Sequence, residues 1–428
     1  MAPADTSHKT DKADKADKAA LDKRTRRFEE KRDRILDAAT VLINRHGLKG
    51  MTFVGVADIV GLNTTSVTYY FKRKEQLAAA VLERSIERLE AMVAEAAAQG
   101  SAELRVRHYI ELHFRHFAGR RLGEERPLAS LSDIRALASP HREALIERYN
   151  NLFRAVRHFF GPPGSTRDKL RQTAQTHVLS ESLFWLPVWL RQYSVGDYPR
   201  VGERLWEVLA QGLAPDDSPA WQPRPLAPQG AGSNGLGSDG AGMPDNFMRV
   251  ATRLINQLGY RGVSVERIAA ELNVTKGSFY HHLEAKDDLV LECFSRSYGR
   301  VSRLQRAARA SGGSHWQQLQ STMAALLHSQ LRGEDPLLRT TALQALPNEV
   351  RGDVLARSDR MARRFAGMLI DGISEGSVRA VDPLIASQVL MCMLNAAFEL
   401  RDWAARQDME DAVELYAATV CQGFFRAA

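Results

Sequence analysis

The sequence contains few cysteines, and their spacing excludes the sites that cysteines usually build. Cys293, Cys392 and Cys421 are the only ones among 428 residues, and each stands alone in an apolar stretch. Disulfide frameworks need an even set of cysteines, and zinc sites need closely spaced pairs. We therefore expect three buried, reduced thiols, as is usual for a cytoplasmic protein.

Long apolar runs and alternating patterns are also missing. No apolar run approaches the length of about 18 residues that a membrane span requires, and the N-terminus has no apolar signal-peptide core. No segment alternates between apolar and polar residues with period two, as a half-buried strand would. The sequence therefore predicts an all-α protein that is cytoplasmic and has no membrane partner.

Catalytic motifs are absent as well. The chain has no Gly-x-Ser-x-Gly elbow, no phosphate loop and no His-Glu-x-x-His pair, which are common marks of hydrolases, nucleotide enzymes and metalloproteases. His113 and His116 could share one helix face, as two metal ligands would, but no acidic or cysteine ligand stands at a supporting spacing. We predict no enzyme activity, no metal site and no cofactor.

The most informative feature is an internal repeat. The stretch Ala39–Leu77 recurs without a gap at Ala251–Leu289, with eleven identities that include Asn44/Asn256 and Lys74/Lys286. So long a period indicates a duplicated domain, because solenoid repeats are only about 20–50 residues long. A net charge of +7 and a pI near 9.3 suit a polyanionic partner for such a domain.

Each copy of the repeat predicts three short helices with a tight turn before the third. In the first copy, Gly47 ends one helix, Thr52 caps the next, and Gly61 occupies a turn that favours positive φ. Asn273 takes the turn position in the second copy, and Ser264 takes the cap. The residues that we expect to be buried are Val56, Ala57, Ile59, Leu62, Val67, Ile268, Ala269, Leu272, Val274 and Phe279. This arrangement is typical of a helix-turn-helix.

The third helix of each copy carries hydroxyls, aromatic rings, imidazoles or a lysine on its outer face. Such groups bond to base edges and phosphates in a DNA groove, although a solvated polar helix in an ordinary bundle would look similar. The candidate DNA-binding residues are Thr52, Thr64, Thr65, Ser66, Thr68, Tyr69, Tyr70, Lys74, Ser264, Thr275, Lys276, Gly277, Ser278, Tyr280, His281, His282 and Lys286.

This stretch resembles the TetR family of bacterial transcription regulators. The second copy matches the family's recognition pattern at Lys276, Gly277, Phe279, Tyr280, Lys286, Asp287 and Leu289. The first copy matches at Phe71, Lys74, Glu75 and Leu77 and departs at Thr64, Thr65 and Thr68. The resemblance implies an N-terminal DNA-binding domain followed by a helical domain for ligand binding and dimerisation.

The rest of the chain predicts that the whole domain is duplicated. We expect a disordered, or transiently helical, charged tail over 1–23 and a first TetR-like domain over 24–213, with its helix-turn-helix at 28–74. A Pro/Gly-rich linker over 214–245, stiff and then flexible, leads to a second domain over 246–428, with its helix-turn-helix at 246–286. Basic residues between Arg24 and Arg34 form an arm that suits the minor groove or phosphates, or only a solvated tail.

The predicted partners are a double-stranded DNA operator, a small effector and another domain of the same kind. An apolar face from Leu384 to Leu400 indicates either core packing or a dimer-like interface. The predicted pairing is an intramolecular pseudo-dimer or a homodimer. Candidate effector-binding residues are His108, His113, Phe117, Tyr149, Phe153 and Trp185.

The sequence favours a repressor that a hydrophobic or aromatic effector releases from DNA. Two alternatives stay open: a regulator in which one copy alone reads DNA, and a helical ligand-binding protein that does not bind DNA.

Overall fold

The computed structural model describes residues 7–216, 221–226, 245–274, 286–346 and 348–426, and all regular elements in these ranges are helical. The chain divides into two compact units. One unit comprises residues 1–87 and 126–145, and the other comprises residues 88–125 and 146–428. The all-α prediction is confirmed.

The first unit is a small helical domain. Its helices are α1 (Ser7–Gly50), α2 (Phe53–Val60), α3 (Thr64–Tyr70), the start of α4 (Lys74–Ala97) and a 3₁₀ turn at Leu131–Ala136. Gly47 has φ 65° and interrupts α1 where the sequence predicted the helix end. The backbone is helical from Ser7 onward. Ile35, Ile43, Val56 and Val67 form the centre of the core.

The second unit contains the remaining helices of both halves. From the first half come α5 (Ala102–Leu122), α6 (His141–Arg157), α7 (Thr166–Trp189) and α8 (Tyr198–Gln211). From the second half come α9 (Asp245–Leu258), α10 (Val265–Glu271), α11 (Lys286–Ala310), α12 (His315–Arg332), α13 (Asn348–Ser374), α14 (Pro383–Ala396) and α15 (Met409–Cys421).

A four-helix bundle joins the two halves inside the second unit. Helices α7 and α8 of the first half pack against α14 and α15 of the second. Gln175 donates to the Phe424 carbonyl at 2.9 Å, and the Trp403 indole donates to the Leu170 carbonyl at 3.2 Å. Most of the apolar face predicted between Leu384 and Leu400 is buried here, although Leu384 itself is exposed.

The ends of α8 and α15 exchange backbone hydrogen bonds reciprocally. Leu213 and Ala214 donate to the carbonyls of Val420 and Cys421 at 3.1 and 2.8 Å. In return, Phe424 and Phe425 donate to the carbonyls of Leu209 and Ala210 at 2.8 and 3.1 Å. Each half therefore presents the same segment to the other, which is the hallmark of a two-fold interface between like subunits.

Part of the interdomain linker docks on the second half. Within residues 221–226, the docked segment, the Arg224 amide donates to Ser321 Oγ at 2.8 Å and the Arg224 guanidinium to the Ser311 carbonyl at 2.7 Å. Trp221 packs on the hydrophobic core. The sequence predicted stiffness for this proline-rich part but not its docking on α12.

One stretch, Pro383–Ala404, is long and apolar enough to cross a membrane by length and composition. In the structure 67% of its apolar window is buried within the protein. Its apolar character is therefore explained by the core of the bundle.

Candidate nucleic-acid interface

The turn between α2 and α3 is built as the sequence predicted. Thr52 Oγ1 accepts from the Gly55 amide at 3.1 Å and caps α2, and Gly61 ends that helix with φ 72°. Asn63 Oδ1 accepts from the Ser66 amide at 2.7 Å and caps α3. Buried Val67 holds α3 against the core. The caps and the apolar anchor together fix which face of α3 meets solvent.

The outward face of α3 presents hydroxyl groups and one prominent aromatic ring. Thr64 and Thr65 are exposed, and Tyr69 is 65% exposed. The hydroxyls of Ser66 and Thr68 are engaged locally, since they donate to Asn63 Oδ1 at 2.6 Å and to the Thr65 carbonyl at 2.9 Å. Thr64, Thr65 and Tyr69 are thus the candidates on α3 best presented to a DNA groove.

Phe28 forms an aromatic cluster with Tyr69 and Tyr70 of α3. The sequence analysis did not identify this cluster. The Phe28 ring centroid lies 4.6 Å from that of Tyr70 and 6.2 Å from that of Tyr69. Burial, and to a lesser degree the neighbouring Tyr69, raise the pKa of Tyr70. Tyr70 is therefore partly buried against α1. A signal was available in the sequence, because Phe28 is the one large apolar residue in the charged run from Lys23 to Arg34.

The basic residues of α1 between Arg24 and Arg34 are partly used inside the domain. Arg34 donates to the Val60 carbonyl at 2.8 Å, and the Arg32 guanidinium lies 5.6 Å from the centre of the Phe71 ring. Arg26 pairs with Glu30 at 3.2 Å on the exposed surface. These side chains stand on a helix, and their contacts with a minor groove or phosphates stay a prediction. Lys74 opens α4, as expected, and is half-buried.

The second copy repeats the entry to the motif. Ser264 Oγ accepts from the Arg267 amide at 3.2 Å and caps α10, and Asn273 takes φ 53° in the predicted turn. Lys286, expected at a phosphate, donates to the Tyr260 carbonyl at 2.5 Å and lies 4.0 Å above the Tyr260 ring. The predicted core residue Phe279 and seven predicted contact residues lie outside the described residues, the seven being Thr275, Lys276, Gly277, Ser278, Tyr280, His281 and His282.

The prediction of burial is wrong for two residues. Ile59 is 51% exposed, because Val56, Ala57 and Val60 supply the buried face of α2. Val274 was expected to point inward and is 41% exposed. A helix of eight residues has only about two turns, so its apolar face cannot accommodate every apolar side chain.

A duplicated polar clamp ties the first helix of each DNA-binding copy to a downstream segment. In the first unit Asn44 donates to the Leu128 carbonyl at 2.8 Å and accepts from the Ser130 amide at 2.9 Å, while Ser85 accepts from the Ala129 amide. In the second unit Asn256 bonds in the same way to Leu337 and Arg339, at 2.8 and 2.9 Å. Each downstream segment is therefore fastened to the first helix of its helix-turn-helix copy.

Only some of the predicted effector-binding residues lie together. His113 is buried beside Tyr109 and Phe117, with ring centroids at 4.7 and 6.3 Å. His108 instead pairs at the surface with Glu95 and Glu111. Tyr149, Phe153 and Trp185 are half-buried or exposed.

The His113 imidazole is held neutral without a polar partner. Burial, reinforced by the neighbouring His116, lowers its pKa to about 3. Neither of its ring nitrogens has a hydrogen-bond partner among the described residues. A buried polar group of this kind is costly unless something bonds to it.

A cavity of about 390 Å³ lies elsewhere in the second unit. It is lined by Arg107, Trp206, Arg379, Phe425 and their neighbours. Its arginines are engaged, because Arg379 donates to the Gly212 and Glu207 carbonyls and Arg426 to the Pro215 carbonyl. The sequence analysis did not identify this cavity, which is formed by both halves.

Three segments of the chain match family models. Residues 35–81 and 247–293 each match the model described as bacterial regulatory proteins, tetR family. Residues 312–403 match the model described as tetracyclin repressor-like, C-terminal domain. The two N-terminal matches fall on the two helix-turn-helix copies described above.

Relatives were found among curated proteins and solved structures. The HTH-type transcriptional repressor DhaR of Mycobacterium sp. (strain GP1) is 26% identical over 137 residues, which are 31% of this chain and 69% of the relative. Apo AibR (20% identity, TM-score 0.35) and PfmR of Thermus thermophilus (22%, 0.36) each cover 42% of this chain, over 99% of their own length. Two helix-turn-helix copies and one C-terminal segment of this chain thus match models of the TetR family of bacterial transcription regulators.

Proposed function

We propose that the chain is a cytoplasmic repressor that places two different DNA-binding domains on one operator. The observation that carries this proposal is the reciprocal bonding between the ends of α8 and α15. A two-fold interface of this kind is what two separate subunits would form to bind two half-sites. Here one chain forms it alone.

The operator should be asymmetric, because the two recognition segments differ. Thr64 corresponds to Lys276, and Tyr69 corresponds to His281. Side chains of different chemistry select different base edges. A palindromic site would therefore satisfy only one of the two domains.

One observation favours a variant of this function in which the second copy dominates binding. Helix α3 contains no lysine or arginine, two of its hydroxyls bond internally, and Tyr70 packs on Phe28. The corresponding segment of the second copy contains Lys276. Since phosphate contacts supply much of the affinity for DNA, the second copy would then contribute most of it.

Footprinting on the DNA that flanks the coding region tests both forms. In the two-domain form, the double substitution of Thr65 and Tyr69 by alanine should remove protection from one half-site. Substitution of Lys276 and Tyr280 should remove it from the other. Thr173→Ala, which changes a half-buried threonine of α7 whose hydroxyl bonds within the helix to the Lys169 carbonyl, is the matched control and should leave the footprint intact. Loss of protection only with the second pair would favour the second-copy form, and no footprint with the unchanged chain would contradict both.

We propose that the effector binds beside His113 in the first half. This site would take a small apolar or aromatic molecule that carries one hydrogen-bonding group. The buried imidazole without a partner supports this, because it is neutral and so bonds as donor or acceptor without a net charge. The ligand would weaken DNA binding by favouring a conformation with altered clamps, which requires a difference in affinity between the two conformations.

A thermal-shift screen with small aromatic and acyl compounds tests the effector site. Compounds that raise the unfolding temperature of the unchanged protein should lose that effect with His113→Phe and keep it with His158→Phe, which changes an exposed histidine. Equal shifts with both variants would place the effector elsewhere.

A further inference from the structure

A buried histidine at the junction of the two halves has one ring nitrogen without a partner. His177 on α7 is 5% exposed, and its Nδ1 lies 2.9 Å from the Tyr416 hydroxyl on α15. That hydroxyl donates its own proton to the Met393 carbonyl at 3.3 Å. Nδ1 must therefore carry the imidazole proton, which leaves a lone pair on Nε2. Nε2 has no hydrogen-bond partner among the described residues.

Two carboxylates from different halves face this lone pair. Glu181 lies one turn along α7, and Glu399 follows α14 in the second half. The three ligand atoms lie within 4.8 Å of one another, and Nε2 is 3.9 Å from Glu399 Oε2. His177 is buried, and burial favours the neutral form of an imidazole. A lone pair opposite two carboxylates repels them, unless a cation lies between.

The cation now present is a guanidinium that the two carboxylates share. Arg339 is buried, contacts Glu181 Oε2 at 3.2 Å and also pairs with Glu399. One positive charge thus faces two negative charges, and the imidazole supplies none. A doubly charged ion would balance the carboxylates and also accept the lone pair.

We propose that His177 Nε2, Glu181 and Glu399 form a binding site for a divalent transition-metal ion, in competition with Arg339. One imidazole and two carboxylates suit ions such as Zn²⁺, Co²⁺ or Mn²⁺. Ligand bonds of about 2.0–2.2 Å place donor atoms roughly 3.0–3.5 Å apart, so modest side-chain rotations suffice once the guanidinium moves aside.

The site would connect three parts of the chain. His177 and Glu181 belong to the first half and Glu399 to the second. The backbone amide of Arg339 donates to Asn256 in the first helix of the second DNA-binding copy. Displacement of the Arg339 side chain would therefore act on the segment that clamps this helix. Metal binding itself does not depend on the proposed function, since it concerns only these side chains.

Titration of the metal-free, full-length protein with Co²⁺ tests the site, because the visible absorption of Co²⁺ reports its ligands. One ion per chain should bind with a dissociation constant in the micromolar range or below. His177→Gln and Glu399→Gln should each weaken binding by more than the roughly 10–100-fold typical of an outer-shell partner. Arg339→Gln removes the competitor and should tighten binding at least tenfold.

The matched control is His315→Gln. His315 also contacts two carboxylates, Glu375 at 2.7 Å and Asp371 at 3.6 Å, but at the surface. This variant should bind Co²⁺ like the unchanged protein. The proposal would be overturned if His315→Gln abolished Co²⁺ binding. It would also be overturned if neither the unchanged protein nor Arg339→Gln bound Co²⁺. If His177→Gln does not fold, Glu399→Gln and Arg339→Gln decide. Neither negative result would alter the footprint on DNA, so the regulator proposal is tested separately.

Discussion

At the scale of single residues, two glycines permit the halves to approach each other. Gly212 follows α8 and Gly423 follows α15, with φ of 70° and 83°. A Cβ atom on Gly212 would lie 2.5 Å from the Cys421 carbonyl oxygen, and one on Gly423 would lie 2.5 Å from the Ala210 carbonyl oxygen. Both positions need a glycine for two reasons: the backbone conformation and the close contact with the other half.

Gly212→Ala should destabilise the second unit. The left-handed backbone alone costs about 1–2 kcal/mol for an alanine, and the contact with the Cys421 carbonyl adds to this. Urea unfolding measures the loss. The control is Gly352→Ala, an exposed helical position where a Cβ atom meets nothing within 4 Å. That variant should be up to about 1 kcal/mol more stable, and equal stability of the two variants would contradict the role of Gly212.

The buried histidines should make folding sensitive to mild acid. Burial lowers the pKa of His113 to about 3, well below its value of about 6.5 in an unfolded chain. The unfolded state therefore binds the proton first, and the stability that His113 contributes is present above about pH 6.5 and lost as the pH falls towards about 3. His113→Gln should reduce the slope of unfolding free energy against pH, by up to about 1.4 kcal/mol per unit. His158→Gln, at an exposed position, should leave it unchanged; equal slopes in all three proteins would refute the prediction.

At the scale of elements, local chemistry fixed most helix ends and long-range contacts fixed the rest. The Thr52 and Ser264 caps and the turns at Gly61 and Asn273 lie where the sequence predicted them. Each depends on residues fewer than five positions apart. The docked segment did not follow from local chemistry, because its partner Ser321 is distant in sequence. The domain boundaries stay predictions.

Ser321→Ala should loosen the docked segment. The substitution removes the acceptor of the Arg224 amide and costs about 1 kcal/mol. Cleavage between residues 221 and 226 by proteinase K should become about five times faster, measured by mass spectrometry. Ser387→Ala removes an equally buried hydroxyl that bonds only within α14, to the Leu384 carbonyl, and should have no such effect. Unchanged cleavage in Ser321→Ala would show that the amide bond does not hold the segment.

At the scale of the whole molecule, the sequence predicted two like domains but left their pairing open. The reciprocal hydrogen bonds between the halves use backbone atoms of Leu213, Ala214, Phe424 and Phe425. Because every residue type has these atoms, the sequence does not predict such bonds. The His177 cluster was equally hidden, because its carboxylates come from different halves. The outward orientation of Thr64, Thr65 and Tyr69 could be predicted, because it follows from the helical period alone. Their contacts with DNA stay predictions.

The pairing within one chain predicts unfolding that does not depend on protein concentration. A dimer gains stability by mass action as its concentration rises, whereas a chain paired with itself does not. The thermal midpoint should therefore stay constant over a hundredfold dilution, and the native mass in sedimentation should be 47.7 kDa. A midpoint that rises with concentration would indicate that separate chains pair instead.

The reciprocal interface at Gly212 and Gly423 also changes how a single mutation affects the two halves. In an assembly of identical subunits every substitution is inherited by both sides, so neither side can be adjusted without the other. When both sides are encoded in tandem, each can acquire its own base preference or its own sensitivity to a signal while the interface preserves their alignment. Such a regulator can adapt to an operator whose two half-sites diverge in sequence.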